Sequence, residues 1–239
     1  ALADRVWYNP RNMYQEAPMS CSTRYRAALF DFDYTLGDSS LGAVDCMRYA
    51  LAALGLPDVD AQTCASTIGL SLPETLVALA GEEHAPLASA FHELFMARAD
   101  VVMVPQAIVY PFTGDLLSRL RRAGLSLAIV TNKRRDRIEG ILARYNLATA
   151  VDAIIGSADV PSPKPAPDAL LLAAERLGIT LAEAVYVGDN LVDARAARAA
   201  GVPFVAVTSG HTTAEAFAPF GPQAVLRDAS ALPDTLGLA

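Results

Sequence analysis

The sequence predicts an α/β fold, in which a mainly parallel sheet is covered on both faces by helices and a small helical domain is inserted after the first strand. Three observations lead to this class. Short, continuously apolar segments recur along the chain, and each ends in small or polar residues. Amphipathic segments of helical length lie between them. One connection is much longer than the others, which indicates an insertion.

Residues 1–24 precede this pattern. They show neither a helical nor a strand period, and they contain Pro10, Pro18 and the single tryptophan, Trp7. We expect an irregular N-terminal arm over this stretch.

Five segments predict the strands of the sheet. Unbroken apolar character, rather than alternation, is typical of strands that are covered on both faces. The segments are residues 25–30, 125–130, 153–155, 184–187 and 203–207. The predicted helices of this part are residues 113–123, 134–145, 168–177 and 191–200, and Gly124, Gly178 and Gly201 mark the ends of three of them. The alternation of strand and helix indicates parallel pairing through crossover helices.

The connection between the first and second strands is much longer than a parallel crossover needs. A parallel crossover needs about a dozen residues, whereas this connection runs from the region of residue 31 to that of residue 125. Its excess is helical in pattern, with predicted helices at 42–54, 72–79 and 87–101. We therefore expect three parts. They are the N-terminal arm 1–24, a core of residues 25–38 and 109–239, and a helical domain of residues 39–108.

Composition excludes several classes of function. The chain has 19 Lys and Arg residues against 26 Asp and Glu, a formal net charge of −7, which argues against a nucleic-acid partner. Its three cysteines are irregularly spaced, as in reduced thiols. No apolar run is long enough to span a membrane, and no signal-peptide pattern is present. We expect a cytoplasmic protein without a membrane partner; the sequence carries no signal for its oligomeric state.

Polar side chains follow four of the predicted strands at the points where those strands end. They are Asp31 and Asp33 after the first strand, Thr131 and Asn132 after the second, Lys164 in a proline-rich loop after the third, and Asp189 and Asp193 after the fourth. Each alone has an ordinary interpretation as a helix cap, a first-turn acid or a solvated loop charge. Because ligands of parallel sheets gather at the carboxyl ends of the strands, four such sets on one edge favour a functional site.

Together these motifs resemble the haloacid dehalogenase-like superfamily of hydrolases, and within it the phosphoglycolate phosphatase-like branch. The shared motifs are Asp-x-Asp-x-Thr from Asp31, the pair Thr131-Asn132, Lys164 between prolines, and Gly-Asp-x-x-x-Asp ending at Asp193. The resemblance covers about residues 25–235 and implies a Rossmann-like core with a helical cap inserted after the first motif.

The resemblance implies a Mg²⁺-dependent phosphomonoester hydrolase that acts on a small phosphorylated metabolite. Asp31 would attack phosphorus and form an aspartyl-phosphate. Asp33 would act first as general acid toward the leaving group and then as general base on water. Asp31, the backbone carbonyl of Asp33 and Asp189 would hold the metal ion.

The same resemblance assigns the remaining motif residues. The Thr131 hydroxyl and the Asn132 backbone amide would donate to the phosphoryl oxygens. Lys164 would bridge the nucleophile and the phosphate, and Asp193 would orient metal-bound waters or Lys164. The other lysine, Lys133, is expected to be a rim residue or an ordinary surface charge.

Two positions bear on the entrance to the site. The family usually has glycine after the second aspartate of the first motif, and this chain has Tyr34. Glycine would permit a positive φ there, so we expect a differently shaped turn with the Tyr34 ring at the entrance. In the cap, the segment around Gly69 resembles the part that such caps present near substrate.

Branches of the family differ in residues that the sequence shows. Haloacid dehalogenases lack the second aspartate, so the presence of Asp33 disfavours dehalogenation. The phosphonate-cleaving branch uses a cap lysine, and residues 38–132 contain none. A β-phosphoglucomutase-like phosphosugar mutase and an inorganic pyrophosphatase share the core motifs and stay open as alternatives. A non-catalytic binding protein is a more remote alternative, because the catalytic residues are intact.

Overall fold

The computed structural model describes residues 25–238. The predicted arm, residues 1–24, lies outside the described residues. No helix in the described part is long and apolar enough to cross a lipid bilayer.

A six-stranded parallel sheet forms the centre of the molecule, in the strand order β5-β4-β1-β6-β7-β8. The strands of this sheet and of a two-stranded antiparallel ribbon are β1 (Ala27–Phe30), β2 (Gly37–Asp38), β3 (Ile108–Val109), β4 (Ser126–Val130), β5 (Ala153–Ile155), β6 (Ala184–Gly188), β7 (Phe204–Val207) and β8 (Ala224–Leu226). β1 lies between β4 and β6, with Phe30 opposite Ile129 on one side and Val187 on the other. The expected parallel α/β sheet is therefore confirmed.

Helices cover both faces of the sheet, because successive strand residues point to opposite sides. On one face, Ala28 and Phe30 pack with side chains of α5 (Thr113–Arg122), α6 (Arg135–Arg144) and α10 (Leu232–Thr235). On the other face, Ala27 and Leu29 pack with α7 (Asp168–Leu177), α8 (Leu191–Ala200) and α9 (Ala214–Phe217). β1 is fully buried as a result, which agrees with its unbroken apolar sequence.

The segment between β2 and β3 is helical and has its own apolar core. Its helices are α1 (Ser40–Ala53), α2 (Ala61–Ser66), α3 (Leu72–Ala80) and α4 (Ala88–Gln106). Cys46, Leu51, Phe91 and Met103 are among the buried members of this second core. β2 and β3 pair antiparallel, so the chain leaves and re-enters the parallel-sheet part at adjacent points.

The structure differs from the predicted elements at the end of one helix and in a strand that was not predicted. The helix predicted over 87–101 continues to Gln106, because Val102 and Met103 stay packed in the apolar core of the helical segment and Pro105 falls in the last turn. The strand β8 was not predicted, since it has three residues, all partly buried at the edge of the sheet.

Candidate active site

The predicted site residues converge at the carboxyl ends of β1, β4 and β6, in the middle of the sheet. The chain proceeds from β1 to one side through β4 and later adds β6 on the other side, and such a switch point leaves a crevice at the strand ends. Five of the predicted side chains are buried there. They are Asp31, Thr131, Lys164, Asp189 and Asp193.

Lys164 is the centre of the buried network. Its ammonium nitrogen has four acceptors within hydrogen-bond distance, namely Asp31 Oδ1 at 2.7 Å, Asp193 Oδ1 at 2.7 Å, the Tyr186 hydroxyl at 2.9 Å and the Val130 carbonyl at 3.0 Å. Burial by itself lowers the pKa of Lys164, but the Asp193 and Asp31 carboxylates outweigh it and hold the pKa above its ordinary range. Lys164 therefore stays charged and fixes the position of Asp31.

Asp193 supports this network from the first turn of α8. Its Oδ1 accepts from Lys164 and from the Tyr186 hydroxyl, which lies 2.7 Å away. Its Oδ2 accepts from the backbone N–H of Asn190 at 3.1 Å, which closes the N-terminus of the helix. Sequence reasoning missed Tyr186, although a tyrosine in an otherwise aliphatic, buried strand signals that its hydroxyl needs a partner.

Three buried carboxylates, those of Asp31, Asp189 and Asp193, offer oxygens within 4.8 Å of one another. Burial raises the pKa of Asp31 to about 7. The charge of Lys164 lowers this pKa, whereas the charges of Asp193 and Asp33 raise it further. Burial together with the charges of Asp193 and Asp31 raises the pKa of Asp189 to about 9. One lysine cannot balance three carboxylates, and hard oxygen donors suit a divalent cation. The cluster could therefore hold a metal ion.

Asp33 has partners that the sequence did not predict. Lys133 Nζ lies 2.8 Å from Asp33 Oδ2, and the two side chains are only 14% and 15% exposed. The Ser39 hydroxyl donates to the other carboxylate oxygen. The interpretation of Lys133 as an ordinary surface charge was wrong, because the loop after β4 turns its side chain toward the loop after β1. The candidate acid is thus held at both oxygens.

Asn132 links two of the motifs through its side-chain amide. Its Nδ2 donates to the Lys164 carbonyl, and its Oδ1 accepts from the Lys164 N–H, both at 2.9 Å. This pair of hydrogen bonds fixes the loop that carries Lys164. Thr131 Oγ1 is buried and accepts from the Lys133 N–H at 3.2 Å, so the hydroxyl orients its own loop.

Tyr34 and Gly69 both lie near the site. Tyr34 is half-buried with φ 55°, and its ring meets the His211 ring edge-on at 5.1 Å between centroids. Gly69 has φ 107°, and a Cβ placed on it would lie 2.8 Å from Asn190 Nδ2. The helical segment therefore approaches the N-terminus of α8, beside the carboxylate cluster.

Comparison with known proteins agrees with this geometry. The family model for haloacid dehalogenase-like hydrolases matches residues 28–207. A phosphoglycolate phosphatase from Shigella dysenteriae is 32% identical, with 89% of this chain and 93% of the relative covered. A solved Bacteroides fragilis structure, described as a haloacid dehalogenase-like hydrolase, has a TM-score of 0.82 and 38% identity over 87% of this chain and 99% of that chain.

A second solved structure shows the same fold at lower identity. This haloacid dehalogenase-like family protein from Streptococcus pneumoniae has a TM-score of 0.79 at 23% identity, with 89% and 99% of the two chains covered. The matched family segment spans every strand end that carries a candidate site residue. The chain belongs to the haloacid dehalogenase-like hydrolases, in the phosphoglycolate phosphatase-like branch, and is a phosphatase.

Proposed function

We propose that this chain hydrolyses a small phosphomonoester with the help of Mg²⁺, through an aspartyl-phosphate on Asp31. The observation that supports this most is the contact of the buried Asp31 with Lys164 at 2.7 Å, beside the Asp189 carboxylate. That arrangement combines a nucleophile, a fixed cation and metal-ligating oxygens at one strand end. Phosphoglycolate, named in the enzyme name of the Shigella relative, is the first substrate to test.

The donor set suits Mg²⁺. Asp31, Asp189 and the backbone carbonyl of Asp33 would hold the ion, since Mg²⁺ prefers oxygen ligands. When bound, Mg²⁺ supplies positive charge to the phosphoryl oxygens and lets a phosphate dianion approach the carboxylates. Asp193 is less suited to direct coordination, because both of its oxygens already accept hydrogen bonds.

Asp31 performs the first step of the proposed reaction. A bond forms between its carboxylate oxygen and phosphorus while the bond between phosphorus and the ester oxygen breaks. Lys164 keeps the Asp31 carboxylate in place and offsets part of the negative charge of the phosphoryl group that approaches it. Because the attacking group must be a carboxylate, the step requires Asp31 to be deprotonated.

Asp33 handles the protons of both steps. It donates a proton to the departing alkoxide, and it then takes a proton from the water that attacks the aspartyl-phosphate. The second attack breaks the bond between phosphorus and the Asp31 oxygen, which releases phosphate and restores Asp31. Ser39 and Lys133 contact the two Asp33 oxygens and hold the carboxyl group in place.

The helical segment also has a role in the proposed reaction. Residues 39–108 act as a cap domain on a core of residues 25–38 and 109–239, joined through the β2–β3 ribbon. The close approach of Gly69 to Asn190 supports a cap that covers the strand ends. A covered site excludes water while the aspartyl-phosphate forms and must open again for hydrolysis and release.

The test is phosphate release from a panel of phosphomonoesters, phosphoglycolate included, with Mg²⁺ or with EDTA. The Asp31→Asn variant removes the nucleophile but keeps the size of the side chain, so turnover should fall by at least about 10⁴-fold while circular dichroism stays unchanged. Release of phosphate by a folded Asp31→Asn protein at the wild-type rate would refute the assignment. No release by the wild type from any ester would refute the proposed activity.

Further arms of the same screen separate the alternatives. Glucose 1-phosphate isomers, supplied with a bisphosphate activator, detect a phosphosugar mutase. Inorganic pyrophosphate detects a pyrophosphatase. We expect hydrolysis of a monoester to exceed both activities.

A further inference from the structure

Tyr34 occupies a backbone conformation that its side chain disfavours. Its φ of 55° lies in the left-handed region, where a Cβ crowds the backbone. Within residues 25–238, Asn146 is the only other non-glycine residue with a positive φ, and asparagine tolerates that region better. An aromatic residue held in such a conformation beside a reaction site points to a function of its side chain.

The Tyr34 residue contacts three consecutive residues of the loop after β7. The Ser209 hydroxyl donates to the Tyr34 carbonyl. A Cβ placed on Gly210 would lie 3.2 Å from the Tyr34 Cβ. The His211 ring meets the Tyr34 ring edge-on, and His211 Nε2 lies 3.3 Å from the Tyr34 hydroxyl. Tyr34 therefore fastens this loop to the turn that follows the first motif.

The same loop also packs against the Asp189 side chain. A Cβ placed on Gly210 would lie only 2.0 Å from Asp189 Oδ2, so the Gly210 backbone is packed on the carboxylate. Among the described residues, only the Thr35 hydroxyl donates to this carboxylate, at a long 3.5 Å. The orientation of Asp189 thus depends on the packed loop more than on hydrogen bonds.

We infer that Tyr34 and His211 are positioning residues, which hold residues 209–211 against Asp189 and thereby set the affinity of the site for its divalent cation. The inference rests on the metal binding proposed above. Removal of a group that contacts and orients a metal ligand commonly lowers the affinity for the metal by 10- to 100-fold. Loss of the Tyr34 side chain would free the loop and let the Asp189 carboxylate rotate.

The experiment titrates Mg²⁺ alone into the purified full chain by calorimetry. Tyr34→Gly should raise the Kd for Mg²⁺ about tenfold, and His211→Ala should raise it by a smaller factor. Tyr34→Phe keeps the ring and the Cβ contact, so it should bind Mg²⁺ nearly as the wild type does. Asn146→Gly is the matched control, because it also removes a non-glycine residue with positive φ but lies at the end of α6.

Hydrogen exchange supplies a second readout that does not depend on the metal. The amides of residues 209–211 should exchange faster in Tyr34→Gly than in wild type or Asn146→Gly. Unchanged Mg²⁺ affinity in a folded Tyr34→Gly protein would overturn the inference and leave the proposed function standing. A wild type that binds no Mg²⁺ would overturn both. If Tyr34→Gly does not fold, His211→Ala decides, and an unchanged Kd in it would overturn the inference.

Discussion

Gly210 shows at the scale of one residue how a missing side chain shapes the site. Its φ is not in the left-handed region, so its backbone would accept alanine, but the new Cβ would lie 2.0 Å from Asp189 Oδ2. We predict that Gly210→Ala displaces the Asp189 carboxylate and lowers kcat/KM by about 10- to 100-fold. Steady-state kinetics at several Mg²⁺ concentrations measures the loss.

Gly114 provides the control for this substitution. It lies in α5 with an ordinary φ, and a Cβ there would meet only Leu147 Cδ2, at a normal 3.7 Å. Gly114→Ala should leave kcat/KM unchanged and stabilise the fold slightly, because alanine favours helix over glycine. Equal activity of the Gly210→Ala and Gly114→Ala variants would show that Asp189 does not depend on this contact.

The sequence could predict which residues belong to the site where a residue directly follows a recognisable strand. Lys164 and Asp193 follow strands whose apolar character is plain, and the structure brings them together. Lys133 could not be interpreted correctly, because its partner Asp33 lies in a distant loop and only the folded sheet brings the two side chains together. Tyr186 was missed because its apolar ring suits a buried strand, whereas its contact with Asp193 is made by the hydroxyl.

At the scale of elements, a buried cation is one of the contacts between α4 and α6, which join the helical segment to the sheet. Arg137, in the first turn of α6, is 7% exposed and donates to Asp100 of α4 at 2.9 Å. Its Nε is buried without a hydrogen-bond partner among the described residues. The positive charge of the guanidinium is therefore balanced mainly by Asp100, and a buried charge without an opposite charge beside it is costly.

We predict that Asp100→Ala lowers the free energy of unfolding by about 1.5–3 kcal/mol, the usual contribution of a hydrogen bond to a charged group. Urea titration followed by circular dichroism measures it. Asp58→Ala is the matched control, because Asp58 pairs with Arg48 at 2.8 Å on the surface, with side chains 72% and 47% exposed. It should cost less than about 1 kcal/mol, and equal effects of the two substitutions would contradict the prediction.

Helices were easier to predict than edge strands for a physical reason. α7 and α8 were predicted to the residue, since an amphipathic period before Gly178 and Gly201 defines both the packed face and the end. α4 runs past its predicted end because tertiary packing outweighs the local signal of Pro105. β8 is too short and too exposed to carry a pattern.

At the scale of the whole molecule, the acidic groups behind the formal net charge of −7 are unevenly distributed, because several carboxylates are buried at the strand ends. In the metal-free protein the pKa of Asp31 is raised to about 7 and that of Asp189 to about 9, first of all by burial. Both carboxyls then keep protons that the unfolded chain has already lost above its ordinary pKa of about 4. Lys164 keeps its proton over the same range, because its pKa is also raised.

Stability of the metal-free protein should therefore fall as the pH rises from about 5 to about 9, because the native state binds more protons than the unfolded state does in this window. Mg²⁺ binds the deprotonated carboxylates, so its stabilising effect should grow over the same window. Thermal unfolding in EDTA and in Mg²⁺, at a series of pH values, measures both trends. Asp189→Asn should flatten the fall above pH 7, because asparagine has no proton to lose. A metal-free wild type that is equally stable across this range would contradict the burial of uncompensated charge at the site.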